Sequence, residues 1–373
     1  MTDRAVYQDR LAKLTGSLHN SDLDALLLNR VSNIAYLTGA VNSCSWVFIT
    51  KKGEKLVLLL DSDLEVYKAE SAISDIRTFR DHDPLSLFKK VIGELGLDHA
   101  KLGLELGRPG LPHHTLRMLR HAIPPTVAFE NGEYLIEEIR AIKSEEEIEE
   151  IKKAARIAEL GLETAIKNIK PGVKESDVVL EAEYAMRKAG GRVPVLNYVA
   201  SGKRSCLAHH TASAKVIEAG DVVALDIHGG FRGYCADLAR TVVCGKISEE
   251  VKRAYACMIR AEEKTIAACR PGTRMAEVKK IFYHELNQAQ DLHFLMGPVL
   301  HGVGIMNSEM PYFQFPYQAK GYPEVLAAGM VVAVSNIGLY SKEGWGVRVE
   351  DTVWLTDDGP VYLTNFSKEL ISV

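Results

Sequence analysis

The sequence predicts two domains of different class: an α/β N-terminal domain, and an α+β C-terminal domain built on an antiparallel sheet. Three observations carry this. Up to about residue 130, short apolar runs alternate with amphipathic stretches, the rhythm of helices laid on a central sheet. Beyond it, helices with clear start and stop signals are separated by long strand-like runs. Between the two, AIPPTVAFENGEY carries two prolines and an Asn-Gly, a composition suited to an interdomain crossing. The division expected is 1–131 and 132–373.

In the first domain, DALLLN, SWVFIT, KLVLLL and KLGLEL read as strands. LEVYKAESA, PLSLFKKVIGEL and HHTLRMLRHA read as helices. In the second, Ser144 and Glu147 form an S-x-x-E capping box that opens SEEEIEEIKKAARIAELGLETAIKNI, and Pro171-Gly172 closes it. Acidic residues crowd its first turns and lysines follow, which suits the helix dipole. Further helices are expected from about Ser176 to Lys188, Ser248 to Cys269 and Thr273 to Gln288, each stopped by a glycine or Pro-Gly signal or a change of pattern. VVALDIHG, FRGYCADLARTVV, MVVAVSNIGLY, GVRVEDTVWLT and PVYLTN read as strands. No repeat at solenoid periods interrupts this order.

With 373 residues, 47% apolar and 25% charged, the chain has material for two cores. The net charge is -4 with both signs interspersed, and no basic tract argues for nucleic acid. No apolar run reaches the roughly 18 residues needed to span a bilayer. The opening MTDRAVYQDR is polar, unlike a secretory signal. Cys44, Cys206, Cys235, Cys244, Cys257 and Cys269 are scattered without a C-x-x-C pair, so reduced thiols in a cytoplasmic protein are expected. Cys235 is expected to pack beside Asp237 rather than to ligate a metal.

The chemistry concentrates in ALDIHGGFRGYCADLART, LHGVGI and GVRVED. A carboxylate inside an apolar run is costly to bury unless a cation or hydrogen bonds compensate it. Residues two apart on a strand share a face, so Asp226 goes with His228 and Cys235 with Asp237. The intervening GGFRG lets the two strands form a hairpin with both aspartates in one cavity. Glycines flanking His301 allow close backbone approach. Carboxylates with imidazole suit Mn, Fe, Co or Zn. The same residues read without a metal are capped or ion-paired structural acids.

The run SCLAHHTASAKVIEAGDVVALDIHGGFRGYCADLARTVV resembles the core signature of the creatinase/prolidase/aminopeptidase P superfamily. HGVGIMNSEMP, AAGMVVAV and GVRVEDTVWLTDDG follow in the expected order, and LDALLLNRVSNIAYLTGA resembles the opening of that family's smaller domain. The resemblance implies a "pita-bread" catalytic domain with a curved antiparallel sheet, and a homodimer whose neighbouring N-terminal domain borders the active site. It matches Asp226, Asp237, His301 and Glu350 to four of five metal ligands. It matches His209 to a histidine that contacts substrate, and Arg348 to an arginine that orients the site. His210 is expected to point elsewhere.

Three departures modify what the resemblance implies. Ser335, followed by Asn336, stands where the family has a glutamate that is both ligand and proposed base. A hydroxyl cannot replace a carboxylate in either role near neutral pH. Ser308 stands where metallopeptidases have histidine, and His228 where a small residue is usual, so His228 is either an added ligand or a partner of a ligating carboxylate. The expectation is one divalent ion per chain (Mn, Fe, Co or Zn), with a metal-free route as the other option. The function expected is hydrolysis of an amide or amidine C–N bond in a small amino-acid-derived substrate. The alternatives are an Xaa-Pro dipeptidase or aminopeptidase-like metallopeptidase, a metal-dependent lyase on a small charged acid, and a catalytically dead binding protein. Partners expected are a small-molecule or dipeptide-like substrate and a second copy of the chain, with no nucleic acid and no membrane. PYFQFPYQAKGYP is a candidate wall of the substrate pocket.

Overall fold

The computed structural model describes residues 4–40, 45–80, 84–107, 110–206, 209–289, 292–294, 298–312 and 324–373. Cys44 and most of PYFQFPYQAKGYP lie outside the described residues. The chain forms two compact units, Met1–Ile139 and Arg140–Val373.

The first unit runs α1 (Arg4–His19), β1 (Ala25–Leu28), α2 (Val31–Thr38), β2 (Trp46–Thr50), β3 (Lys55–Leu60) and α3 (Leu64–Glu70). It continues through β4 (Asp75–Phe79), α4 (Leu85–Glu94), β5 (Lys101–Leu104), α5 (His113–Ala122) and β6 (Ala128–Asn131). Its six-stranded sheet has the order β4-β3-β2-β1-β5-β6. Leu27, Phe48, Leu58, Phe88, Leu102 and Leu119 pack into one fully buried cluster on this sheet. The predicted strands fall on β1, β2, β3 and β5, whose positions are largely buried. β4 and β6 are the two edges and only partly buried, so they lack the apolar run that makes a strand visible in sequence.

α6 (Tyr134–Ala141) leads into the second unit: α7 (Glu145–Asn168), α8 (Glu175–Lys188), β7 (Tyr198–Ser201), β8 (Val222–Phe231), β9 (Tyr234–Val243), α9 (Glu249–Ala268) and α10 (Met275–Leu286). The remaining strands are β10 (Leu300–Gly302), β11 (Glu309–Tyr312), β12 (Val331–Val334), β13 (Leu339–Tyr340), β14 (Gly346–Val347), β15 (Asp351–Thr356), β16 (Gly359–Tyr362) and β17 (Ile371–Ser372). They build a four-stranded sheet, β17-β9-β8-β7, and a five-stranded sheet, β11-β10-β12-β15-β16. All pairings are antiparallel except β17 with β9. A bridge between Ala239 and Glu350 joins the two sheets, and the polar centre lies along this seam. The capping box forms as expected: Glu147 N–H donates to Ser144 Oγ at 3.3 Å, and Ser144 N–H donates to Glu147 Oε2 at 3.0 Å.

α7 and α8 cover one face of β8 and β9 through Ala158, Leu162, Val178, Leu225, Ile227 and Leu238. At Gly229 the approach is so close that a Cβ would strike the Ala154 carbonyl oxygen and lie 2.5 Å from the Ala158 nitrogen. Both atoms are helix backbone and cannot rotate away. Gly229→Ala is therefore expected to cost about 1–3 kcal/mol through overpacking. The check is a lower urea midpoint with the slope unchanged.

Two of the predicted strands are broken. MVVAVSNIGLY divides into β12 and β13 because Ser335, at φ 84°, leaves extended geometry and stops the ladder. GVRVEDTVWLT divides into β14 and β15, with Arg348, Val349 and Glu350 between them.

Candidate metal centre and active site

β8 and β9 pair with His228 opposite Asp237 and Asp226 opposite Ala239. That register brings Asp226, His228 and Asp237 to one face. His301 comes from β10, and Glu350 from the seam just before β15. All five are buried, Glu350 completely.

Their donor atoms form two overlapping triads, Asp226–His228–Asp237 and Asp237–His301–Glu350, each able to hold a metal ion. His228 Nε2 lies 3.4 Å from Asp226 Oδ1 and 3.5 Å from Asp237 Oδ1. His301 Nε2 lies 3.6 Å from Asp237 Oδ2 and 3.7 Å from Glu350 Oε1. Ligands about 2.0–2.2 Å from one tetrahedral ion sit roughly 3.3–3.6 Å apart, so these spacings fit metal coordination. Both oxygens of Asp226, together with Asp237 Oδ1 and Glu350 Oε1, have no hydrogen-bond donor. Buried acceptors left open in this way fit a cation.

The electrostatics agree. Burial, then the neighbouring Asp226 carboxylate, pushes Asp237 well above the ordinary carboxylate range. Burial also pushes Glu350 well up, although Arg348 opposes it. Burial raises Asp226, but Arg348, with His228 and His209 behind it, pulls it below its usual value. Three acids this close cannot all ionise without added positive charge. Burial lowers His301 to about 4, which leaves a neutral imidazole ready to ligate. The residues therefore fit a resident divalent ion.

Arg348 is committed to protein groups. Its Nη1 lies 2.7 Å from Asp226 Oδ2, and its Nη2 donates to Glu350 Oε2 and, at 2.6 Å, to Asn336 Oδ1. Asn307 Nδ2 donates to Asp237 Oδ2 at 2.9 Å. A small pocket opens beside the cluster, lined by Tyr198, His209, His210, Asp226, Tyr340 and Arg348. Burial and the nearby guanidinium lower His209 below the ordinary imidazole value.

His210 faces this same pocket rather than away from it. His209, at φ 56°, sits in a turn outside any strand, so the rule that neighbouring side chains face opposite ways does not hold there. Cys235 is buried, its thiol pushed up by burial and bonded to the Ile305 carbonyl at 3.6 Å, and it belongs to neither triad. Ser335 is fully buried and its Oγ has no hydrogen-bond partner. Ser308 is exposed, while Glu309 beside it is buried against Arg140 and Lys143. No sequence motif marks Asn307, Asn336, Tyr198 or Tyr340 as site residues. Their signal is strand register and side-chain reach, which one-dimensional motifs do not carry.

The profile of metallopeptidase family M24 matches residues 149–357, and that of the creatinase/prolidase N-terminal domain matches residues 10–142. The chain is 30% identical to the Xaa-Pro dipeptidase of Pyrococcus horikoshii, over 98% of this chain and 99% of that protein. It is 29% identical to the Xaa-Pro dipeptidase of Pyrococcus furiosus, over 98% of this chain and 100% of that one. Its fold is similar to that of an Xaa-Pro dipeptidase from Bacillus anthracis, with a TM-score of 0.87 and 29% identity, covering 98% and 100% of the two chains.

Proposed function

This chain belongs to metallopeptidase family M24, and from that premise we propose that it hydrolyses the C–N bond of small dipeptide-like substrates, Xaa-Pro dipeptides foremost. The observation that carries the reading is the pair of triads sharing Asp237, set beside a pocket that holds His209. Asp226, Asp237, His301 and Glu350 would hold the ion, with His228 as an added donor on the Asp226 side. When bound, a divalent ion polarises a carbonyl and makes water a better nucleophile.

The charge balance supports one ion. Asp226, Asp237 and Glu350 set against Arg348 leave two formal negative charges, which a single divalent cation neutralises. Arg348 acts on the protein side, pairing with Asp226 Oδ2 and donating to Glu350 Oε2, which leaves Asp226 Oδ1 and Glu350 Oε1 open. That commitment argues against Arg348 as the group that binds substrate charge. His209, kept neutral near pH 7 by its lowered value, is the proton carrier on the pocket side. Ser335 cannot serve as base. Its presence favours a second reading, in which the substrate is an amino-acid-derived amide or amidine rather than a peptide.

The test is metal quantification on purified protein, followed by assays on Xaa-Pro dipeptides and an amidine panel. One Mn, Fe, Co or Zn per chain is expected. Chelation should remove activity and re-addition restore it. Two ions per chain would overturn the charge argument, and turnover that survives chelation would sink the metal-dependent reading. Cleavage of amidines without dipeptides would move the assignment to the second reading.

A further inference from the structure

α8 opens on an acid that belongs to neither metal triad. Glu175 is its first residue and is completely buried. Its Oε1 accepts from the Ser201 N–H at 2.7 Å and the Ser201 hydroxyl at 2.9 Å. Its Oε2 accepts from Arg204 Nε at 2.9 Å, and from the Ser213 N–H at 3.1 Å and hydroxyl at 2.8 Å. Arg204 supplies the cation that offsets the buried charge, and its Nη2 goes on to donate to the Thr211 carbonyl at 2.6 Å. His209 and His210, which line the pocket beside the acid cluster, stand immediately before Thr211. On the other side of them, in the 3-10 turn Gly202–Cys206, Ser205 Oγ accepts from the Gly346 N–H at 2.9 Å, two residues ahead of Arg348. One carboxylate thus joins residues on both sides of the two pocket histidines.

The start of α8 does not need this side chain. The Glu175 N–H already donates to the Lys215 carbonyl and the Ser176 N–H to the Ser213 carbonyl, each at 3.0 Å. What the carboxylate adds is the link to Ser201, to Arg204 and, through Arg204, to Thr211. We propose that Glu175 is a positioning residue for the pocket: with Arg204 as its relay, it holds the chain that carries His209 and His210 in place beside Asp226 and Arg348. It touches no residue of either triad, so its loss should move the histidines without releasing the ion.

This rests on the reading of the pocket as the place of hydrolysis, so the experiment includes a measurement that needs no substrate. In protein labelled with ¹⁵N-histidine, ring resonances are assigned to His209 and His210 by their loss in His209→Gln and His210→Gln. His99, exposed on the first unit, serves as the reference. In Glu175→Gln and in Arg204→Gln both pocket resonances should shift while that of His99 stays in place. On whichever Xaa-Pro dipeptide the native protein cleaves, each variant should lower kcat about tenfold, with KM within about twofold and the metal content unchanged. The double variant should fall no further than about twofold below the weaker single one, because the two side chains act through one contact. Arg204 is partly exposed, and Arg204→Gln carries the test alone if Glu175→Gln does not fold. Pocket resonances that stay in place in a folded variant, additive losses in the double variant, or metal lost together with activity overturn the proposal. If the native protein cleaves no dipeptide, the peptidase reading fails while the resonances still decide this one.

Discussion

Asp237→Asn is expected to abolish metal binding while leaving the fold intact. Asp237 is the member common to both triads, so its loss leaves neither with three ligand residues. It is also the acid whose carboxyl is pushed well above the ordinary range, by burial first and the Asp226 charge second. Asparagine has nearly the shape of a protonated aspartic acid, and it removes the like-charge conflict. The apo variant should therefore melt at or slightly above the native apo protein. Adding Mn or Zn should raise the melting temperature of the native protein, because a ligand that binds only the folded state stabilises it by mass action. The variant should not respond. Activity should fall by more than about a hundredfold, since even changes to the partners of metal ligands cost about 10–100-fold. A variant that retains stoichiometric metal would show that the centre does not depend on Asp237.

Glu309→Gln is expected to produce the largest loss of stability. Glu309 accepts from Arg140 and from Lys143, the latter at 3.0 Å, and from the Met306 amide at 3.0 Å, with all three side chains buried. Removing one partner of a buried ion pair typically costs about 3–5 kcal/mol, because the opposite charge stays buried without its counter-ion. The pH dependence gives an independent sign. Burial alone would raise Glu309, but Arg140 and Lys143 outweigh it and hold the folded carboxyl below its ordinary value of 4.5. A depressed folded value means the stabilisation is complete above the unfolded-chain value and is lost as pH falls toward the folded one. The native protein should thus lose stability on acidification below about pH 4.5, and the glutamine variant should lack this component. Urea midpoints at neutral and acid pH check both statements. Equal midpoints for native and variant protein at neutral pH would contradict the first.

Much of the second unit was legible in the sequence because its signals are local. The Ser144 capping box, the Pro-Gly stops and the long apolar runs are set by a few neighbouring residues, and α7, α8, α9 and α10 begin and end close to where they predict. The strands β4 and β6 were not legible, since edge positions need no continuous apolar run. Nor was the break at Ser335, because serine gives no sign of a left-handed backbone.

The sequence by itself determined the two domain classes and the chemistry available to the site: which acids and imidazoles sit in apolar runs, and which expected carboxylate is replaced by Ser335. Only the tertiary structure decided how those groups are spent. It set His228 against Asp226 and Asp237, gave Arg348 to Asp226, Glu350 and Asn336, and turned His210 into the same pocket as His209. The physical reason is range. Capping and periodicity act within a turn or a strand, whereas a buried guanidinium finds its partners through the pairing of strands far apart in the chain.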